Sequence, residues 1–371
     1  MHNNLLAQKT QENIRLILKV NVIEQKMQTL TQIDWDNYRL QGDKIADEIV
    51  AKTQELNQWE HLRKVITIQW GDNQSLPTDL PDFIRNYFTE NAVLPPNSDS
   101  KKIAKGQEFF QKNAEDCLSL LGTMSLPYCY AAADGAQVLY FSERMRNDAQ
   151  KRLLETARFV FEVNQKDSLK EEGLAFITIL KVRLLHATIR FHVKNHKDWN
   201  MKWGLPINQE DLMGTNIAFS SIILRGLRKL GKKYTNQDAE NYLHLWYVVG
   251  QLLGIDKKIL PQTMKEAVFL SQNTEMRHFK SSHEGNVLMQ TLLSHFEEIL
   301  PPVVPDGYIH SYMRFLLGDR VCDLLGIPAA NWTKHIVNTL PIITTMKASF
   351  GKSPHAVRSY WEARNLIAQQ K

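Results

Sequence analysis

Apolar residues recur at three- and four-residue spacings along most of the chain, whereas the strict alternation of a half-buried strand is scarce, so the pattern predicts an all-α protein. It places helices near 105–121, 148–164, 168–196, 208–230, 236–253, 286–299, 308–325, 332–348 and 354–369. Two of these carry start signals. Thr235 followed by Asp238 reads as a capping box, opening a helix on which Leu243, Trp246, Tyr247 and Gly250 share a face before Gly254 ends it. Ser353 before Pro354 reads as a second start, because proline at the first helical position gives up no needed hydrogen bond. With 17 Gly and 13 Pro in 371 residues, breakers are few, which favours long helices.

The densest breakers lie in residues 72–102, where Pro77, Pro81, Pro95 and Pro96 stand among Asn, Asp and Ser. This predicts an irregular connection and the organisation 1–102 (N-terminal helical section), 103–348 (core) and 349–371 (C-terminal helix), joined as one continuous domain. Cys117–Ala133 is uncharged throughout but broken by Gly122, Ser125 and Pro127, so it reads as buried core or loop rather than a transmembrane span. Peripheral membrane contact stays open, as do monomer and homo-oligomer.

Composition narrows the class. At 43% hydrophobic and 23% charged residues the chain is neither disordered nor fibrous. Lys plus Arg number 45 against 40 Asp plus Glu, a dispersed surplus too small to announce nucleic acid. Cys117, Cys129 and Cys322 lie far apart without a CxxC pair, which excludes a disulfide framework, a cysteine zinc site and covalent c-type haem. Together with an N-terminus lacking a secretory pattern, this predicts a reducing, cytoplasmic setting.

The segment KVRLLHATIRFHVKNH carries the most chemistry. Arg183, His186 and Arg190 fall at i, i+3 and i+7 of one helix and share a face. This arrangement suits a haem pocket, because a neutral imidazole can ligate iron and arginines pair with carboxylates such as haem propionates. A core histidine beside two arginines in structural ion pairs is the bland counterpart. Upstream, Arg152 and Thr156 lie one turn apart and would orient a bound ligand, or else form a surface arginine and a threonine bonding back to its own helix. His192 and His196, at i and i+4, offer a metal-hydrolase reading with His278, His283 and Glu284 as distant ligands. Arg225, Arg228, Lys229, Lys232 and Lys233 offer a nucleic-acid or helix-binding one.

The block RxxHxxxR at Arg183, His186 and Arg190, preceded by RxxxT at Arg152 and Thr156, resembles the haem-dependent oxygenase family of MpaB and the latex-clearing rubber oxygenases. GDKIAD (42–47), SLPYCYA (125–131), RLLETARFVFEV (152–163), GLPINQEDLMGTNIAFS (204–220), YLHLWYVVGQLLGI (242–255) and MRFLLGDRVCDLLGIP (313–328) resemble it too. The resemblance implies a large helical bundle with a globin-like core around a b-type haem. It further implies O2-dependent cleavage of a carbon–carbon double bond in an isoprenoid or similar hydrophobic substrate. It assigns His186 to the iron, Arg183, Arg190 and Thr215 to the cofactor, and Arg152 and Thr156 to the polar pair near it. Glu155 stands where the latex-clearing branch has a lysine, and no acid stands at that branch's upstream pocket glutamate, Glu143 being only nearby; both departures point to the MpaB-like branch and give Glu155 an acid or base role. A non-catalytic haem protein would share every ligand. Two further expectations follow: an acceptor for the second ring nitrogen of His186, and a pocket lined by Leu243, Trp246, Tyr247, Leu252, Met213 and Phe219.

Overall fold

A computed structural model describes residues 24–67, 76–141, 149–300 and 304–329, and every regular element in them is helical. An isolated bridge between Ala132 and Phe279 is the nearest approach to sheet pairing among them. The chain forms two units, Met1–Tyr38 and Arg39–Lys371. The first ends within α1 (Trp35–Arg39), where the rings of Trp35 and Tyr38 stand 6.1 Å apart.

In the second unit, α2 (Lys44–Glu55), α3 (Trp59–Thr67) and α4 (Asp82–Asn91) precede α5 (Ser100–Lys112) and α6 (Ala114–Leu120). A π-helical turn, Leu121–Ser125, leads into α7 (Leu126–Ala131) and α8 (Ala133–Phe141). Then come α9 (Ala149–Val163), α10 (Ala175–Lys194), α11 (Gln209–Phe219), α12 (Ser221–Lys229) and α13 (Asn236–Leu252). The series closes with α14 (Met264–His278), α15 (His283–Ile299), α16 (Tyr308–Leu317) and α17 (Asp319–Leu324).

Local chemistry explains several boundaries. Thr235 Oγ1 accepts from the Asp238 amide at 3.1 Å while Asp238 Oδ2 accepts from the Thr235 amide at 2.9 Å, the reciprocal cap read from the sequence. Gly254, at φ +82°, ends the segment after α13. Elsewhere single residues split what periodicity joins: Asn113 parts α5 from α6, Ser220 parts α11 from α12, and Gly318, at φ +89°, parts α16 from α17. The helix expected from 168 begins at Ala175, after a tight turn in which Ser168 and Gly173 press together. Residues 72–102 are interrupted by α4, and Cys117–Ala133 is helical and largely buried rather than loop. Helix α14 has no counterpart in the expected set. The helices expected at 332–348 and 354–369, with the Ser353–Pro354 start, lie outside the described residues.

Helix α10 is apolar around most of its circumference, as a central helix must be. One side packs on α2, α3 and α4, where Val50, Leu62, Ile84 and Phe88 meet Ile177, Leu180, Leu184 and Ala187 in one cluster. Each such side chain, fully buried, contributes about 1.5–3 kcal/mol. The described residues between 39 and 102 therefore fall in the same unit as the helices that follow. The opposite side of α10 faces α9 and a cavity. No helix among the described residues is long and apolar enough to cross a membrane.

Candidate functional site

On α10, Thr178, Lys181, Val182, Leu185, Thr188 and His192 recur at three- and four-residue steps and line a cavity of about 920 Å³, with His186 at the seam between this stripe and the buried side. A second cavity of about 450 Å³ lies against α7, α8, α11 and α14. Cys129, Leu139, Arg152, Leu185, His186, Leu212 and Thr215 line both, so His186 stands where the two meet.

His186 Nδ1 is buried and makes no hydrogen bond. Burial, reinforced by the charges of Arg190 and Arg152, pushes the imidazole pKa down to about 3, so the ring is neutral at physiological pH. Arg152 lines both cavities, and its guanidinium donates to nothing among the described residues. The threonines differ: Thr156 Oγ1 donates to the Arg152 carbonyl at 2.9 Å and Thr215 Oγ1 to that of Asp211 at 2.8 Å. Each hydroxyl therefore bonds back to its own helix and offers the cavity lone pairs rather than a proton. Glu155 lines the larger cavity.

Arg183 and Arg190 take the structural ion pairs that were the counterpart reading of their spacing. Neither lines either of these two cavities. Arg183 donates through Nε and, at 2.8 Å, through Nη2 to Asp43, while Arg190 binds Asp47 and the carbonyls of Pro206 at 3.1 Å and Ile207 at 2.9 Å. Both guanidiniums are buried in ion pairs that fasten α10 to Asp43, the N-cap of α2, and to Asp47 in its first turn. They anchor the helix that carries His186.

Of the apolar residues expected to line the pocket, Trp246 and Phe219 do so; Leu212 and Leu253 replace their neighbours Met213 and Leu252, and Leu243 and Tyr247 face elsewhere. Phe159, Leu139, Cys129, Trp59, Arg158, Glu162 and Lys181 were not singled out in the sequence, although the Arg158–Glu162 spacing of four was there to be read. Glu143 lies outside the described residues.

Beneath the smaller cavity Glu210 is fully enclosed. Burial alone would raise its carboxyl, yet His278 at 2.9 Å and Arg277 at 2.8 Å hold it below the usual carboxylate range. This accounts for His278, which the metal-hydrolase reading had used. His192 packs on Trp59 at 5.2 Å and His196 on Phe141 at 5.3 Å, and His283 meets Tyr140, so these rings do not converge. Four of the five basic residues near the end of α12 are engaged within the fold: Arg225 with Glu275, Arg228 over Tyr234, Lys229 on the carbonyls of Phe315 and Leu316, and Lys232 on Asp116 at 2.7 Å.

Residues 118–340 match the family model described as ER-bound oxygenase mpaB/B'/Rubber oxygenase, catalytic domain. The chain is 24% identical over 330 residues to the rubber oxygenase of Streptomyces sp. (strain K30), spanning 88% of this chain and 80% of that protein. Its fold is similar to that of latex clearing protein LCP in the closed state, with a TM-score of 0.72, 24% identity and 85% of each chain covered.

Proposed function

Because the chain belongs to the oxygenase family of mpaB and the rubber oxygenases, we propose that its cofactor is haem b and that it uses O2 to cleave a carbon–carbon double bond in an isoprenoid or similarly hydrophobic substrate. The observation that carries this reading is the neutral, half-buried imidazole of His186, its enclosed Nδ1 unbonded, at the meeting point of two cavities. An unprotonated ring keeps a lone pair for iron at neutral pH, which a charged one would not. The apolar walls and size of the larger cavity support a greasy macrocycle and substrate.

Haem, when bound, supplies the oxygen binding and the oxidising chemistry. In the net reaction an alkene and O2 give two carbonyls, so both oxygen atoms are retained and no outside reductant is consumed. Arg152 keeps its donors for negative charge developing in the cavity. Thr156 and Thr215 accept from a ligand hydroxyl while remaining tied to their helices. Phe159, Phe219 and Trp246 exclude water, and Glu155 holds or releases a proton at the substrate's oxygen.

The relative's name gives rubber as its substrate. For this chain we favour a smaller isoprenoid, since Glu155 replaces the lysine of the latex-clearing branch, and a reducing compartment, since Cys117, Cys129 and Cys322 are free thiols. The test is a purified protein with a strong Soret band that His186→Ala loses. Farnesyl and geranyl compounds should then yield aldehyde or ketone fragments under oxygen and none without it. A colourless wild type, or an unchanged band in the variant, refutes the assignment.

A further inference from the structure

Among the described residues, Asn57, Asp167 and Ile207 are the non-glycine residues with left-handed backbones, at φ +52°, +60° and +52°. Asn and Asp tolerate that region, whereas a β-branched side chain there crowds its own backbone. Glycine would make the same turn without strain. Something other than the turn therefore accounts for an isoleucine, and Ile207 lines the smaller cavity.

The strained position is fixed from both sides. Arg190 donates to the carbonyls of Pro206 and Ile207, the Leu205 amide to the Arg39 carbonyl at 2.9 Å, and the Gln209 amide to the Gln41 carbonyl at 2.9 Å. Asn208 braces the turn from within, giving Nδ2 to the Leu205 carbonyl at 2.9 Å while its Oδ1 accepts from the Asp211 amide at 2.9 Å. Arg190 follows His186 by four residues, roughly 6 Å of rise along α10. One helix thus carries the candidate iron ligand and grips this part of the wall, so their separation is set by the helix and not by the loop.

The two cavities differ in access. The larger reaches Arg63 and Thr67, which are exposed, whereas the described residues that line the smaller are all buried or half-buried. A chain entering through the larger cavity would pass His186 before its leading end came to rest in the smaller one. The apolar part of that inner wall includes Val138, Leu139, Leu185, Ile189 and Ile207, which suits the end of a hydrocarbon. Glu210 and Asp211 line it too, but are engaged by Arg39, Arg277 and His278.

We propose that Ile207 is the end stop of the inner cavity and sets how many isoprene units extend past His186. The proposal rests on the isoprenoid-cleaving reading and adds a cleavage position counted from the chain end. As the carbon–carbon double bond breaks, each of its carbons takes one atom of O2. The carbonyl fragment on the inner side then keeps the carbons lodged against the stop.

The experiment compares wild type with Ile207→Gly, Ile207→Phe and Ile207→Leu, their folding checked by circular dichroism. Glycine releases the strained backbone as it removes the side chain, so that variant should melt close to wild type. Calorimetry follows an all-trans prenyl alcohol series from geraniol upward. For chains that reach the stop, Ile207→Gly should bind roughly tenfold more tightly and Ile207→Phe roughly tenfold more weakly, with Ile207→Leu within about twofold of wild type. In the holoprotein under oxygen, mass spectrometry should find one fragment length from wild type, a longer one from Ile207→Gly and a shorter one from Ile207→Phe. Chain-length dependence unchanged in both the Gly and the Phe variants would overturn the stop. So would a change confined to haem affinity, which would put the cofactor in the inner cavity. Absence of cleavage by all four proteins would instead overturn the oxygenase reading, with the calorimetry still deciding the stop.

Discussion

Arg183 gives both Nε and Nη2 to the carboxylate of Asp43, so that α10 and the first turn of α2 are joined by a bidentate pair with both residues buried. Asp43 has a second duty, accepting from the Ala46 amide at 3.3 Å as the N-cap of α2. Asp43→Ala should therefore lower unfolding free energy by about 3–5 kcal/mol, most of it from stranding the Arg183 charge. In a urea titration, adding Arg183→Met to that variant should cost little more. Fully additive losses would show that the pair is not a unit.

Gly254 lies against this pair. A methyl group there would meet Asp43 Oδ2 at 2.4 Å and Arg183 Nε at 2.8 Å, at a φ of +82°. Gly231 has a similar φ, +75°, with nothing within 4 Å. Both Ala variants pay for the left-handed backbone, about 1 kcal/mol. Gly254→Ala should lose at least about 2 kcal/mol more, since it also disrupts a buried ion pair; equal melting temperatures for the two would contradict the close approach.

His186 makes no hydrogen bond through Nδ1, so its removal should cost the apoprotein little. His186→Leu is expected to keep or slightly raise the apoprotein melting temperature and to weaken haem binding by about a hundredfold or more. The two readings move in opposite directions, which separates a ligand from a packing residue. A variant that loses stability and keeps haem would sink the assignment.

The same ring fixes a pH dependence. Its pKa in the fold is about 3, against an ordinary 6.5, so the folded state resists protonation that the unfolded chain accepts. The stability difference between wild type and His186→Leu should be constant above pH 6.5. As the pH falls from 6.5 toward 3, wild type should lose ground by up to about 1.4 kcal/mol per unit. Denaturant midpoints for the two proteins at pH 7 and pH 5 measure it, and parallel midpoints would mean that the ring is solvated.

What was legible in the sequence was what depends on near neighbours. The Thr235–Asp238 cap is written in three consecutive steps of chain, and the RxxHxxxR spacing put His186 on the correct helix. The partners of Arg183 and Arg190 were not readable, although GDKIAD had been noticed, because about 140 residues separate that segment from α10 and only the packed fold brings them together. The threonine hydroxyls were ambiguous for the opposite reason: their competing partner, a carbonyl four residues back, exists in any helix. Helix α14 escaped because its buried residues include Glu266, Ser271, Thr274 and His278, polar positions that hydropathy assigns to the surface.

The π-helical turn Leu121–Ser125 acts as a spacer with one residue more than an α-helix would need. Shortening it by a single position would rotate everything downstream by about 100°. Leu126, Cys129 and Tyr130 would then swing off the wall they share with His186, and their places would pass to residues that now face the neighbouring helices. Loop grafts and chimeras should cut the chain elsewhere, since here a deletion changes the bearing of α7 rather than its length.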